Sequence, residues 1–223
     1  MTMPATADDG YSLSDGATEP RGASQRVYLG IMQDLEARRM VPGQRLVETD
    51  LAQRFAVGRN AVREAIQRLA VRGVVDLSRN KSPSIRILDR AETHEILDVA
   101  ALMTGLAARA AAQGFDAVRH GAMLADAIQS LEDVDAAAVP GEFSRARRQF
   151  YRTLLAIGGN RELHRLFPAI GMHIIYSQFQ SPRLQQVRLA DYRAIYDAVT
   201  VGDPKAAEHA GRQHAERVRS LID

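Results

Sequence analysis

Several features common in proteins are scarce or missing in this chain. Its 223 residues include no cysteine and no tryptophan, and only 5% are aromatic. Without cysteine the chain forms no disulfide, thiolate metal site or thiol redox sensor, which fits a reducing compartment. No run of about 18 apolar residues occurs, so no transmembrane helix is expected. The acidic N-terminal segment lacks the basic and apolar regions of an export signal. These absences predict a cytoplasmic protein without a membrane partner.

Positive charge is concentrated in one segment of the chain. The formal net charge is +2, but residues 24–88 carry 12 basic and 6 acidic side chains. Residues 89–223 are nearly balanced, with 16 basic and 17 acidic side chains. A local basic excess of this kind is typical of a surface that binds nucleic acid.

The residue pattern divides the chain into a tail and two domains. Residues 1–23 are rich in Asp, Ser, Gly, Thr and Pro. They are predicted to form a disordered tail, because such a segment buries too little apolar surface to offset the entropy of ordering. Residues 24–88 show three helical patterns and two short apolar runs, whereas residues 89–223 read as helical throughout. The predicted fold class is mainly α, with an N-terminal winged helix-turn-helix, a small β-hairpin wing and an all-α six-helix bundle.

The first domain has the order of elements of a winged helix-turn-helix. A short helix is predicted over residues 48–55 and another over residues 59–72, where Gly73 ends it. The runs VVDL and SIRIL then predict two strands joined by SRNKSP. In this design the third helix enters the major groove of DNA, and the wing contacts the backbone or the minor groove.

Arginine and asparagine occupy the positions that would meet DNA. On the predicted recognition helix, Arg can pair with guanine and Asn with adenine. At the wing tip, basic groups would contact phosphates and position the domain. Arginines on a surface helix are often only solvated, but here the basic residues, the turn and the wing occur together, which favours DNA binding. The predicted DNA-binding residues are Arg59, Asn60, Arg63, Arg79, Asn80 and Lys81.

The stretch VETDLAQRFAVGRNAVREAIQRLAVRGVV resembles the DNA-binding domain of the GntR (gluconate repressor-like) family of bacterial transcription regulators. One position departs from the family pattern: Gly58 stands where relatives carry Ser or Thr, so the recognition helix is expected to be capped only by backbone groups. The residues that match the pattern are Glu48, Leu51, Ala52, Val57, Arg59, Val62, Arg63, Glu64, Ala65, Ile66, Leu69 and Gly73.

The second domain is predicted to be a bundle that begins at a capping box. Asp89 and Glu92 have the spacing of that motif. Pro168 should kink or interrupt its helix because proline lacks the amide N–H. Asp203 and Pro204 have the pattern of a helix start. The six predicted helices cover about residues 91–113, 116–136, 141–157, 160–179, 182–201 and 204–222.

This second domain resembles the all-helical ligand-binding domain, called FCD, of the FadR branch of the same family. One family motif is matched by the stretch FYRTLLAIGGNREL, which begins at Phe150. A second motif is matched by YRAI, which begins at Tyr192, followed by Gly202, Asp203 and His214. The resemblance implies a small-molecule effector, a homodimer and an operator with inverted-repeat symmetry.

Many members of this branch bind a divalent metal through one Asp and three His. The corresponding positions in this chain are Arg147, Tyr151, Tyr192 and His214, so three of the four ligands are replaced. One imidazole does not make a metal site, and a guanidinium repels a cation. We therefore predict no metal and no other cofactor. The other histidines show no ligand spacing and are read as surface or core residues: His94, His120, His164, His173 and His209.

Helical angles separate Arg147 from its neighbouring arginines. At 100° per residue, Arg147 lies about 40° from Phe143, within or beside the apolar arc, whereas Arg145, Arg148 and Arg152 lie on the opposite, solvated face. An inward guanidinium needs a partner because desolvating it alone costs several kcal/mol. Either Arg147 holds an anionic effector, such as a carboxylate, or it pairs permanently with an internal acid such as Asp98. In the first case its partners are Tyr151, Tyr192 and His214.

The sequence predicts a homodimeric, DNA-binding transcription regulator, expected to be a repressor, that responds to a small anionic effector. Two winged domains related by a two-fold axis would bind an inverted-repeat operator. The alternative is a constitutive dimeric DNA-binding factor whose helical domain is only a dimerisation scaffold. No paired carboxylates, nucleophile–base arrangement or Gly-rich phosphate loop is apparent in the helical domain, so no enzyme activity is predicted.

Overall fold

A winged helix-turn-helix unit leads directly into a helical bundle. The computed structural model describes residues 22–77, 82–137, 141–179 and 182–222. The winged unit consists of α1 (Ala23–Glu36), α2 (Glu48–Phe55), α3 (Arg59–Val71), β1 (Val75–Asp76) and β2 (Ser84–Ile85). The bundle consists of α4 (Arg90–Gly114), α5 (Ala117–Ala137), α6 (Glu142–Gly158), α7 (Arg161–Leu166), α8 (Met172–Gln178), α9 (Pro182–Val201) and α10 (Pro204–Ile222), with a 3₁₀-helix at Phe167–Ala169 between α7 and α8.

The first helix begins one residue earlier than predicted. Residues 1–21 lie outside the described residues, but Ala23 already belongs to α1. The first helix therefore begins within the predicted tail. None of the described helices is both long and apolar enough to cross a membrane.

The wing is a short antiparallel hairpin, as the sequence predicts. Val75 pairs with Ile85 and Asp76 with Ser84. Arg45 forms an additional antiparallel bridge to Ser84, so the segment before α2 lies against the outer edge of the hairpin. The apolar faces of the three helices pack against this hairpin, and the core includes Ile31, Leu51, Leu69 and Ile85.

Predicted helix-end signals are present in the described structure. Asp89 accepts a hydrogen bond from the Glu92 amide at 2.8 Å, and Glu92 accepts one from the Asp89 amide at 3.1 Å, which completes the capping box. Asp203 Oδ1 accepts hydrogen bonds from two amides at the start of α10, both at 3.0 Å. Gly58 is the N-cap of α3 without any side-chain cap. Gly73 follows α3 with φ +65°, a conformation that glycine adopts without steric cost.

The helix predicted over residues 160–179 is interrupted, as Pro168 indicated. α7 ends at Leu166, the 3₁₀-helix contains Pro168, and Gly171 reverses the chain with φ +76° before α8 begins. Because the interruption contains a left-handed residue, α8 does not continue the direction or the helical phase of α7. It is an independent seven-residue helix that contacts α1 and α4.

α8 belongs to the core of the winged unit as well as to the bundle. Its Ile174 and Ile175 are buried in the same apolar cluster as Ile31 and Leu69. Its Gln178 binds the backbone of Leu88 twice: the Leu88 amide donates to Oε1 at 2.9 Å, and Nε2 donates to the Leu88 carbonyl at 2.8 Å. The linker between the two halves is thus held by α8.

The bundle is closed by a very tight contact between α4 and α10. Thr104 Oγ1 donates a hydrogen bond to the Gly211 carbonyl at 2.7 Å. A Cβ atom at Gly211 would lie 2.7 Å from the Thr104 carbonyl oxygen and 2.9 Å from Gly105 Cα, closer than atoms can approach. Glycine at position 211 therefore sets the distance between the two helices.

Gly211→Ala should destabilise the protein by about 1–3 kcal/mol, because an added methyl group would force α4 and α10 apart. The measurement is urea unfolding followed by circular dichroism. The matched control is Gly121→Ala on α5, where a Cβ atom meets nothing within 4 Å. There alanine should be neutral or should stabilise the helix by up to about 1 kcal/mol. Equal effects of the two substitutions would show that the α4–α10 contact is not a constraint.

Candidate functional site

The exposed end of α3 carries the predicted DNA-reading side chains. Arg59, Asn60 and Arg63 are all exposed at or near the start of this helix. Arg63 Nε donates a hydrogen bond to Glu48 Oε2 at 2.8 Å, which links the recognition helix to the start of α2. Such a surface pair contributes little to stability, so Arg63 can exchange Glu48 for another acceptor at small cost.

The wing can be described only at its base. The predicted contacts Arg79, Asn80 and Lys81 lie outside the described residues. Next to the hairpin, however, the exposed Arg45 bridges Ser84 on the edge strand. It is a cation at the wing base that the sequence reasoning did not select. The sequence feature that could have identified Arg45 is its position as a basic residue just before the helix-turn-helix.

Arg147 lies inside the bundle, as its helical angle predicts. It is only 7% exposed. Its Cζ atom lies 3.8 Å from the ring centroid of Tyr176 on α8, which is a cation–π contact. Within the described part of the chain, no acid forms an ion pair with it. The prediction that an internal acid such as Asp98 pairs with Arg147 is wrong for Asp98. This residue is mostly exposed and forms an ion pair with Arg219 on α10 instead.

The other three predicted site residues gather around the same point. The rings of Tyr192 and His214 have centroids 4.8 Å apart, and Tyr151 packs edge-on against Tyr192 at 5.8 Å. His214 Nε2 shares a hydrogen bond with the hydroxyl of Tyr176 at 3.2 Å, and Tyr176 contacts Arg147. The structure therefore brings the four positions together, from α6, α9 and α10.

Sequence reasoning missed two residues that complete this cluster, Tyr176 and Arg188. Arg188 on α9 is 6% exposed, and its Cζ atom lies 4.0 Å from the ring centroid of Tyr176. Its Nε and one terminal nitrogen are buried without a hydrogen-bond partner. Two guanidinium groups thus lie over one tyrosine ring. Arg188 precedes Tyr192 by four residues, so a shared helix face was the signal that could have found it.

The one buried acid of the cluster is already neutralised by other groups. Asp191 is 2% exposed, and it accepts a hydrogen bond from His214 Nδ1 at 3.1 Å and another from Arg217. Arg217 is half-exposed and approaches from the surface. Asp191 is therefore committed to His214 and Arg217, which leaves the charges of Arg147 and Arg188 without an acidic counterpart among the described side chains.

The excess positive charge changes the acidity of the tyrosines. Burial opposes ionisation of Tyr176, but the nearby charges of His214, Arg147 and Arg188 outweigh it and lower its pKa to about 7. For Tyr151 and Tyr192 burial dominates, and the negative charge on Tyr176 adds to it, so their pKa values are raised well above 10. Their hydroxyl groups are buried and form no hydrogen bond of normal geometry with a described group. The site thus offers two cations and two unused hydroxyl groups.

The remaining arginines of α6 differ from the prediction in one case. Arg145 is exposed and lies 3.5 Å from Glu142, and Arg152 is partly exposed, as expected of a solvated face. Arg148 instead forms an ion pair with Glu36, which is the last residue of α1. The helical angle gave its direction correctly, but that direction faces the winged unit rather than water.

Comparisons with known proteins agree for both halves of the chain. The family model described as bacterial regulatory proteins, gntR family, matches residues 23–84, and the FCD domain model matches residues 95–217. This chain belongs to the GntR family of transcriptional regulators, with an FCD domain. It is accordingly a DNA-binding regulator and not an enzyme.

Individual relatives of this GntR regulator are distant but cover most of its length. It is 24% identical over 186 residues to a probable D-xylose utilization operon transcriptional repressor of Paenarthrobacter nicotinovorans, covering 82% of this chain and 81% of that protein. It is 26% identical to the HTH-type transcriptional regulator Mce2R of Mycobacterium tuberculosis, covering 91% and 92%. The solved structure of E. coli McbR/YncC has the same fold, with a TM-score of 0.75, 15% identity and coverage of 90% and 97%.

The described residues of this regulator contain no group of three or more His, Cys, Asp or Glu side chains placed to hold a metal ion. At the position that corresponds to the family's metal ligands, the chain presents a guanidinium, two phenols and one imidazole that is already bound to Tyr176 and Asp191. This donor set suits an anion, and the absence of a cofactor stays a prediction.

His173 on α8 should make the regulator less stable in mild acid. Burial, together with the charges of Arg147, Arg72 and Arg148, lowers its pKa from 6.5 to about 4. Above pH 6.5 the residue is neutral in both the folded and the unfolded state. Between pH 6.5 and 4 only the unfolded state takes up the proton, so stability falls by up to about 3 kcal/mol.

His173→Gln should flatten the dependence of the unfolding free energy on pH in that window, measured by urea unfolding at intervals from pH 7 to 4. The exposed His209, substituted in the same way, is the control. An unchanged pH profile in His173→Gln would contradict the assignment of this residue.

Proposed function

We propose that this GntR regulator acts as a homodimeric repressor whose affinity for an inverted-repeat operator is modulated by a small anionic effector in the FCD domain. The observation that carries the proposal is Arg147, which is buried and has no acidic partner among the described residues. A buried, unpaired cation is strongly destabilising, so a site that keeps one is best explained by an anion that binds there. The P. nicotinovorans relative is named a repressor, which supports the proposed sign of regulation.

The effector would be held by the residues predicted from the sequence. Arg147 would bind a carboxylate or a similar oxyanion, and Tyr151, Tyr192 and His214 would supply hydrogen bonds. Tyr151 and Tyr192 support this role because their buried hydroxyls form no hydrogen bond of normal geometry within the described residues. By thermodynamic linkage, an effector that changes operator affinity must have its own affinity changed by the operator to the same degree.

The operator would be read by the start of α3. Arg59, Asn60 and Arg63 are exposed there, and each recognition helix of the proposed dimer would meet one half-site. Phosphate contacts by the basic winged domain should make binding weaken steeply with salt.

Arg63→Ala should weaken binding to a DNA fragment selected from random sequence with the wild-type protein by at least tenfold. One arginine–guanine contact contributes about 1–3 kcal/mol of discrimination, and a dimer would lose two. The measurement is fluorescence anisotropy at fixed salt. The control is Arg165→Ala, which removes an exposed arginine paired with Glu162 in the FCD domain. Wild-type affinity in a folded Arg63→Ala dimer would overturn the assignment of the recognition helix.

A panel of small organic acids and divalent metals, scored by thermal denaturation, tests the effector site. An acid present at 100 times its dissociation constant should stabilise the wild type by about 2.7 kcal/mol. It should do the same for Arg145→Ala, which removes the exposed arginine on the same helix, but not for Arg147→Ala. If no acid shifts the wild type and Arg147→Ala alone loses stability, the FCD domain is a dimerisation scaffold and the regulator is constitutive.

A further inference from the structure

The ring of Tyr176 occupies the place where an anion would be expected. Arg147 from α6 and Arg188 from α9 reach it at 3.8 Å and 4.0 Å, measured from each Cζ atom to the ring centroid. The hydroxyl of Tyr176 is held at 3.2 Å by His214 Nε2. All four side chains are buried. An acidic phenol is therefore the group that faces both unpaired guanidiniums.

We propose that Tyr176 is a built-in placeholder for the effector, and that Arg188 is the second effector-binding residue. The effector would be a small dianion, such as a dicarboxylate, that displaces the phenol from Arg147 and Arg188. This inference rests on the proposed effector function and adds to it the ligand class, a further ligand and the route by which binding is transmitted.

The charge of the site selects a dianion over a monoanion. Arg147 and Arg188 are two buried positive charges without an acidic partner in the described structure, and Asp191 is already engaged by His214 and Arg217. Arg188 Nε and one of its terminal nitrogens are buried and have no hydrogen-bond partner among the described groups. A ligand with two acidic groups balances both positive charges, whereas a ligand with a single acidic group leaves one positive charge unbalanced in the interior.

The acidity of Tyr176 is consistent with a placeholder. With a pKa of about 7, lowered by His214, Arg147 and Arg188 against the effect of burial, the phenol is ionised in part near neutral pH. It thus offsets part of the positive charge when no other anion is bound. Because it supplies at most one negative charge and stacks rather than forming salt bridges, a dianion can compete with it.

Helix α8 connects this site to the DNA-binding half, because its different faces contact both. Tyr176 faces the arginines, with Arg147 and Arg188 over its ring, and burial and the charge of Arg147 lower the pKa of His173, three residues earlier. The remaining faces carry Ile174 and Ile175, which are buried in the core of the winged unit, and Gln178, which holds Leu88 through two hydrogen bonds. In this proposal, displacement of Tyr176 moves or rotates α8, and this movement pulls on the linker before α4.

Space for such a movement lies on the side of α8 that faces the winged unit. A partly open pocket of about 210 Å³ lies between the two halves there, and its lining includes Gly73, Arg86 and Leu88 together with Ile170 and Ile174. Gly171, with φ +76°, is at the N-terminus of α8, where a change of backbone direction is sterically cheap. Gly171 thus lies at one end of α8, and the two hydrogen bonds between Gln178 and the Leu88 backbone hold the other end.

The test compares full-length wild type, Tyr176→Leu and Tyr176→Phe for binding to the selected operator fragment, without added effector. Tyr176→Leu removes the aromatic face and the acidic oxygen and should mimic displacement, with operator affinity changed at least tenfold. Tyr176→Phe keeps the ring between the arginines and should remain closer to wild type. Arg188→Met removes one of the two guanidiniums that hold the ring. It should shift operator affinity in the same direction as Tyr176→Leu, and it replaces the leucine variant if that variant does not fold.

Thermal denaturation with succinate as the dianion probe completes the experiment. Succinate should raise the melting temperature of Tyr176→Leu more than it raises that of the wild type. At equal ionic strength, the monoamide of succinic acid, which carries one negative charge, should raise the melting temperature of Tyr176→Leu less than succinate does. The double variant Tyr176→Leu/Arg188→Met should lose this response. Operator affinity within twofold of wild type in the folded single variants, with no added response to succinate, would overturn the placeholder. A wild type that selects no operator would instead overturn the proposed function.

Discussion

The structure depends on how a helical bundle accommodates two arginines that have no acidic partner among the described side chains. Arg147 and Arg188 are more than nine-tenths buried, and both lie against the ring of Tyr176. A guanidinium in a low-dielectric interior is costly unless its charge is balanced or delocalised onto polarisable groups. The aromatic ring of Tyr176 and its acidic oxygen, which is hydrogen-bonded to His214, meet part of this requirement. They also draw α6, α8, α9 and α10 to a single point.

This point of convergence explains why the two halves of the regulator are not independent. α8 is short and lies after a break at Pro168 and Gly171, so its position is set by what its faces contact. One face meets the charged cluster, and the others enter the apolar core of the winged unit and hold the linker at Leu88. The ion pair between Arg148 and Glu36 adds a second link between the halves. The charged cluster of the FCD domain is therefore connected to the core of the DNA-binding domain through a single helix, α8.

Several elements could be predicted because their causes are local. The capping box at Asp89, the glycine that ends α3 and the cap at Asp203 each involve residues within one helical turn, so the sequence pattern contains all the interacting groups. The hairpin follows from two apolar runs and the turn between them. The partner of Arg147 could not be predicted in this way. Asp98 was a plausible acid by sequence, but in the fold it faces α10 and pairs with Arg219.

By itself, the sequence determined the order of the two domains, the exposed residues of the recognition helix and the inward direction of Arg147. Each of these follows from periodicity along one segment, where 100° per residue fixes the direction of a side chain relative to its own helix. Only the tertiary structure decided which inward side chains meet. Tyr176 joins the site because Pro168 and Gly171 reset the helical phase before α8, and Arg188 joins it because α9, like α6, directs an arginine onto the Tyr176 ring. The relative placement of helices depends on contacts between residues far apart in the chain, and periodicity within one helix carries no information about them.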